Sequence, residues 1–117
     1  SPVISDSGKY QDQGAPGVLN ATGTLTAAMI LSGIVTSTSA GAVVATLDTG
    51  TILDLASEFA IGNSFDWSVI NTGPSTFTVT ASTGHSIVGV GAVLTLISAV
   101  WRTRKTAANT FVTFRLS

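Results

Sequence analysis

The residues able to do acid–base, metal or electrostatic chemistry are few: one histidine, six carboxylates and five basic side chains in 117 residues. Catalysis requires a proton carrier, a nucleophile or a metal held on a scaffold. His85, in STGHSIVG, has no carboxylate within 18 residues on either side. A histidine bonded to a serine or to backbone in a turn is its simplest role. The segment DTGTILD sets Asp48 and Asp54 six apart, without the oxygen-rich spacing of a calcium loop. No GxSxG, GxGxxG or GxxxxGK[ST] motif is present. With no cysteine there are no disulfides and no thiolate metal ligands. The residues assign no catalytic set, no metal and no cofactor.

The charges are sorted by sign. Residues 1–66 hold one base and all six acids, a net charge of −5, whereas residues 67–117 hold four bases and no acid, a net of +4. The cluster RTRK contributes Arg102, Arg104 and Lys105. Three charges make a meagre nucleic-acid patch, and a pI near 5.5 argues against a general nucleic-acid partner. Sorting of this kind suits head-to-tail contacts between copies, which close most simply into a trimer. Arg102 and Arg104 are therefore expected at a subunit interface, facing Asp54, Glu58 or Asp66 of a neighbour, with Lys105 on the opposite face and more exposed. Composition points the same way. Charged residues make up 9% of the chain and mean hydropathy is +0.50, while a compact monomer of this mass exposes roughly 5,900 Å². Threonine, serine and other subunits must supply the remaining cover.

The elements that position these residues read as β. From Val18 onward, short runs of Thr, Val, Ile and Ala are separated by Gly, Asn and Ser. Strands are expected near 18–25, 34–39, 42–48, 65–71, 75–82, 85–90, 93–104 and 110–116. STFTVTAS alternates cleanly, and NTGPS supplies a turn before it. Phe59, Phe65, Trp67, Phe77, Trp101, Phe111 and Phe114 are expected in the core. Two helical stretches interrupt the pattern. TAAMILSG is capped by Thr26 and stopped by Gly33; TILDLASEFAIGN is capped by Thr51, buries Ile52, Leu55, Ala56 and Phe59, and ends at Gly62-Asn63. The closing residues form a hairpin with its turn near 106–109, placing Arg104 near Thr110 or Val112.

The predicted fold is thus all-β: an antiparallel β-sandwich or jelly-roll-like domain of about eight strands with one or two short helices. Residues 18–117 form this single domain, preceded by an extended N-terminal arm, residues 1–17. The arm's Pro2, Val3, Ile4 and Tyr10 are candidates for gripping a partner, with Val3-Ile4 suited to adding a strand at a sheet edge. The start, SPVISDSGKY, lacks the basic and apolar regions of a signal peptide. The uncharged runs Gln13 to Leu47 and Trp67 to Trp101 are too rich in Thr, Ser and Gly for a membrane-spanning helix.

The stretches TLTAAMILSGIVTSTSAGAVVATLDTGTILD, FDWSVINTG, SIVGV and WRTRKTAANTFVTFRLS resemble small structural proteins of tailed bacteriophages. The likeness is to a TAxxIxxGxxT opening (Thr26 to Thr36), an xWxVxN strand (Asp66 to Asn71) and a closing RxRKT…NTFxxxR hairpin (Arg102 to Arg115), and it covers residues 19–117. It is nearest to capsid decoration, or cement, proteins, cyanophage ones among them. The resemblance implies a homotrimeric β-rich knob on the outer surface of the virion. Such a knob sits on the major capsid protein near local three-fold axes and clamps capsomers together without chemistry, nucleic acid or membrane. The alternative is a receptor- or glycan-binding head domain of a tail fibre or appendage, which would expose aromatic residues on outer loops.

Overall fold

Around Trp67 the expected alternation holds. Phe65, Trp67, Val69 and Asn71 are buried, while Asp66 and Ile70 face outward and Ser68 is half-buried. Successive side chains of a strand point to opposite faces, so one face of this segment is core and the other is surface. The computed structural model describes residues 3–4 and 11–117. Its elements run β1 (Val3–Ile4), β2 (Gln11–Asp12), β3 (Gly17–Val18), β4 (Gly23–Leu25), α1 (Ala27–Leu31), β5 (Ile34–Ser37), β6 (Val43–Leu47) and α2 (Gly50–Ser57). They continue through β7 (Ser64–Asn71), β8 (Phe77–Thr80), β9 (His85–Val88), β10 (Ala92–Val93), β11 (Ile97–Ala107) and β12 (Thr110–Arg115).

The strands form a six-stranded sheet, ordered β3-β5-β7-β11-β12-β9, and a four-stranded sheet, ordered β10-β8-β6-β4. β1 and β2 pair with each other as a separate ribbon. One core cluster joins the two larger sheets and the helices: Leu25, Ile30, Val35, Leu47, Leu53, Trp67, Phe77, Trp101 and Phe111 all belong to it. Trp67 and Trp101 lie directly opposite across β7 and β11 with their rings stacked, centroids 5.5 Å apart. Burying such side chains is the main stabilising term, roughly 1.5–3 kcal/mol for each large apolar group.

The expected antiparallel all-β sandwich is not what forms. The chain is mixed α/β, and both larger sheets combine parallel and antiparallel pairs. β4–β6, β6–β8, β3–β5, β5–β7 and β9–β12 are parallel; only β7–β11, β11–β12 and β8–β10 are antiparallel among these pairs. The cause is connectivity. From β3 to β8 every connection crosses from one sheet to the other, so a strand returning to its own sheet runs in the same direction as the one before it. NTGPS is accordingly an arch between sheets and not a hairpin turn. Within the two larger sheets, only the β11–β12 connection is a hairpin between sequence neighbours, and there Arg104 stands opposite Val112.

The helices are short and capped by threonine. Thr26 caps α1, its side chain accepting the Met29 N–H, as expected. α2 is capped by Thr49, two residues earlier than expected, and ends at Glu58 in the left-handed region rather than at Gly62-Asn63. That offset changes the buried face. Leu53 is fully buried, whereas Ile52 is exposed and Leu55 is 83% exposed. Among the described residues, no helix is long and apolar enough to cross a membrane.

Candidate interaction surface

The basic hairpin was expected to face carboxylates of another copy. Within the chain, Arg102 meets Asp66, its cross-strand neighbour on β7. The contact is bidentate, Nε to Oδ1 at 2.6 Å and Nη2 to Oδ2 at 2.9 Å. Arg102 holds the Asp66 carboxyl below the usual carboxylate range, and the Arg102 guanidinium is pushed up in turn by the same bond. The pair lies half-exposed on the outer face of the six-stranded sheet, where its energetic worth is small.

Asp54 does more. Its Oδ1 accepts from Lys105 Nζ at 2.6 Å, and its Oδ2 accepts the backbone N–H of Asn109 at 2.8 Å. Lys105 also donates to the Phe59 carbonyl at 2.8 Å. The Lys105 bond, then the Asn109 N–H, hold the Asp54 carboxyl below its ordinary value. The two side chains are only 12% and 17% exposed, so Lys105 is the sheltered base of the cluster, contrary to expectation. Arg104 and Glu58 are exposed and make no ion pair among the described residues. Arg115 lies with its guanidinium 5.0 Å from the Trp101 ring centroid and donates to the carbonyls of Val90 and Ala92. Three of the four C-terminal bases are therefore engaged within the chain.

Of the arm candidates, Pro2 and Tyr10 lie outside the described residues. Val3 and Ile4 form β1, paired with β2 and not with either larger sheet.

A feature the sequence did not announce is an apolar rim at the opposite end of β7 and β11. Leu94, Leu96, Ile97 and Ile70 are all exposed there, Leu96 by 75%. Leu96 also sits at φ 60°, a left-handed conformation that strains a leucine. The rim is built by buried Asn71. Its Nδ2 donates to the carbonyls of Ser75, Val93 and Leu94 at 2.8, 3.0 and 3.3 Å, and its Oδ1 accepts the Gly73 N–H at 3.0 Å. Thr95 Oγ1 adds a bond to the Gly73 carbonyl. Two shallow grooves of 470 and 370 Å³ flank Leu96, and no lining residue carries a formal charge. Strain held by a satisfied polar brace marks functional segments more often than idle ones. Nothing in NTGPS or VLTLIS signals it.

His85 is interior, 1% exposed. It closes a buried polar chain: Trp67 Nε1 donates to Thr103 Oγ1 at 2.9 Å, Thr103 Oγ1 lies 2.7 Å from Thr113 Oγ1, and Thr113 Oγ1 lies 2.6 Å from His85 Nε2. Burial pushes the imidazole down to about 4, against an opposing pull from the Asp48 backbone and charge. Among the described residues, no group of three His, Cys, Asp or Glu is placed to hold a metal ion. Comparisons with protein-family models, with curated proteins and with solved structures give no match.

Proposed function

We propose that the chain is a structural component of a virus particle: a decoration protein that binds the outer surface of a phage head as a trimer and braces neighbouring capsomers. The observation that carries this reading is the Asn71-braced rim. A chain with eleven charged residues over 5970 Å² of surface holds Leu94, Leu96 and Ile97 out into solvent beside a loop tied to the 71–75 arch by three hydrogen bonds. Contiguous exposed apolar surface of this kind is a contact surface. The resemblance of residues 19–117 to cement proteins supplies the kind of partner, the major capsid protein and further copies of the chain. In this reading the protein performs no chemistry and needs no cofactor.

A glycan-binding head domain would expose aromatic residues on outer loops, and among the described residues Phe65, Trp67, Phe77, Trp101 and Phe111 are interior. Co-sedimentation of the purified chain with undecorated heads and, separately, with tails of the same phage tests the choice. Saturable binding to heads supports decoration; binding confined to tails replaces it with the receptor-binding reading.

A further inference from the structure

We propose that His85 is an acid-sensitive fastener for the edge strand β9: taking up a proton breaks the buried hydrogen-bond chain and frees residues 85–88 from β12. The direction of that chain follows from its ends. The indole N–H of Trp67 can only donate, so Thr103 Oγ1 accepts from it. Two hydroxyl protons then remain for two further contacts. Thr103 donates to Thr113, and Thr113 donates to His85 Nε2, the one arrangement in which every contact has a proton and no hydroxyl is left over. It requires neutral histidine with its hydrogen on Nδ1.

Protonated His85 carries a hydrogen on Nε2 as well. That nitrogen must then donate to Thr113, and one hydroxyl proton of Thr103 or Thr113 loses its acceptor. Both threonines are 0% exposed, so no water replaces the bond. A buried cation and an orphaned donor are both costly. Nδ1 carries its hydrogen in both states, so the change falls on the Nε2 side of the ring. The charged groups on the elements packed around the ring are Asp48, between β6 and α2, Asp54 on α2 and Glu58 at its end, Arg102, Arg104 and Lys105 on β11, and Arg115 on β12; Arg102, Arg104 and Glu58 are exposed. Asp54 and Lys105 hold each other, and Arg115 is tied to Val90 and Ala92. Asp48 gives its carboxylate to the Ala27 N–H and its carbonyl to Ser82. Asp48 alone favours the imidazolium, through its backbone and its charge, and burial outweighs it.

Opening β9 is the cheapest relief. It is an edge strand of four residues, paired only with β12, and in the parallel sense. Gly89, at φ 106°, follows it and is able to absorb a backbone swing, while Gly84 stays anchored by the Phe111 N–H. Release would leave the β12 edge unpaired, a template for an added strand.

The chain has one histidine, so its ring resonance is unambiguous. NMR titration of the full chain should show His85 neutral at pH 6 and charging only as the pH falls to about 4. Amide exchange in β9, corrected for intrinsic rates, should rise by about tenfold per pH unit across that interval, one proton being taken up per opening. β7 should stay protected. His85→Gln should remove this pH dependence. Titration of His85 near 6.5 with β9 still protected overturns the proposal, as does exchange in β9 and β7 rising together, or an unchanged pH dependence in the variant.

Discussion

Lys105 Nζ stands 2.6 Å from Asp54 Oδ1, and the second oxygen of that carboxylate holds the backbone of Asn109 in the adjoining turn. One acidic side chain on α2 therefore ties the helix to β11 and to the turn that follows it. The expected outcome is that Lys105→Glu and Asp54→Ala lower the melting midpoint by several degrees, since each leaves a sheltered polar group without its partner. Arg104→Glu, on an exposed side chain without an ion pair, should leave the midpoint within about a degree. Thermal melts of the three variants check the order.

Acid should act in two separate windows. His85 is held at about 4 in the fold against an ordinary 6.5, so unfolded chains take up the proton first as pH falls. The stability it contributes is complete above pH 6.5 and is lost between there and pH 4, up to ~3 kcal/mol. The carboxyls of Asp54 and Asp66 lie below their ordinary 3.8, and their contribution fades only as pH falls beneath that value. Melting midpoints measured from pH 8 to 3 should fall first between pH 6.5 and 4, and that first fall should vanish in His85→Gln.

Gly50 is the residue least able to change. A Cβ built there would stand 2.0 Å from the Asn109 carbonyl oxygen and 2.6 Å from that of Gly84. Both are backbone atoms, of the residue before β9 and of the β11–β12 turn, and Gly84 is itself bonded to the Phe111 N–H, so Gly50→Ala should cost about 3 kcal/mol or more. Gly41→Ala, where nothing lies within 4 Å, is the control and should be nearly silent. Chemical denaturation of the two variants measures the contrast.

What sequence could reveal was the phase of each strand. Trp67, Val69, Trp101 and Phe111 are buried as the alternation required, and Arg104 stands opposite Val112 in the hairpin. It could not reveal strand direction, because alternation in STFTVTAS assigns faces and says nothing about which sheet the next strand joins. Two threonines in DTGT compete to cap α2; choosing Thr51 over Thr49 rotated the inferred buried face from Leu53 to Leu55. Arg102 and Asp66 are 36 residues apart, and only the β7–β11 register, which the sequence does not announce, sets them side by side within one chain. Leu96 in a left-handed conformation breaks a local preference, and no composition rule anticipates it.

That leucine supplies a prediction in which stability and assembly move apart. Asparagine tolerates a φ of 60° far better, so Leu96→Asn should stabilise the isolated chain by about 1 kcal/mol. If the rim is a contact surface, the same change should weaken trimerisation or head binding. Melting and sedimentation of one variant report both. A more stable protein that assembles and binds as before would show the rim to be idle.

The central claim is tested most directly by electron microscopy of virions labelled with antibody raised against the purified chain. A decoration protein predicts label spread over the whole head, repeating with the capsid lattice and absent from the tail. Label restricted to the tail or its fibres, or heads left bare, would contradict the account.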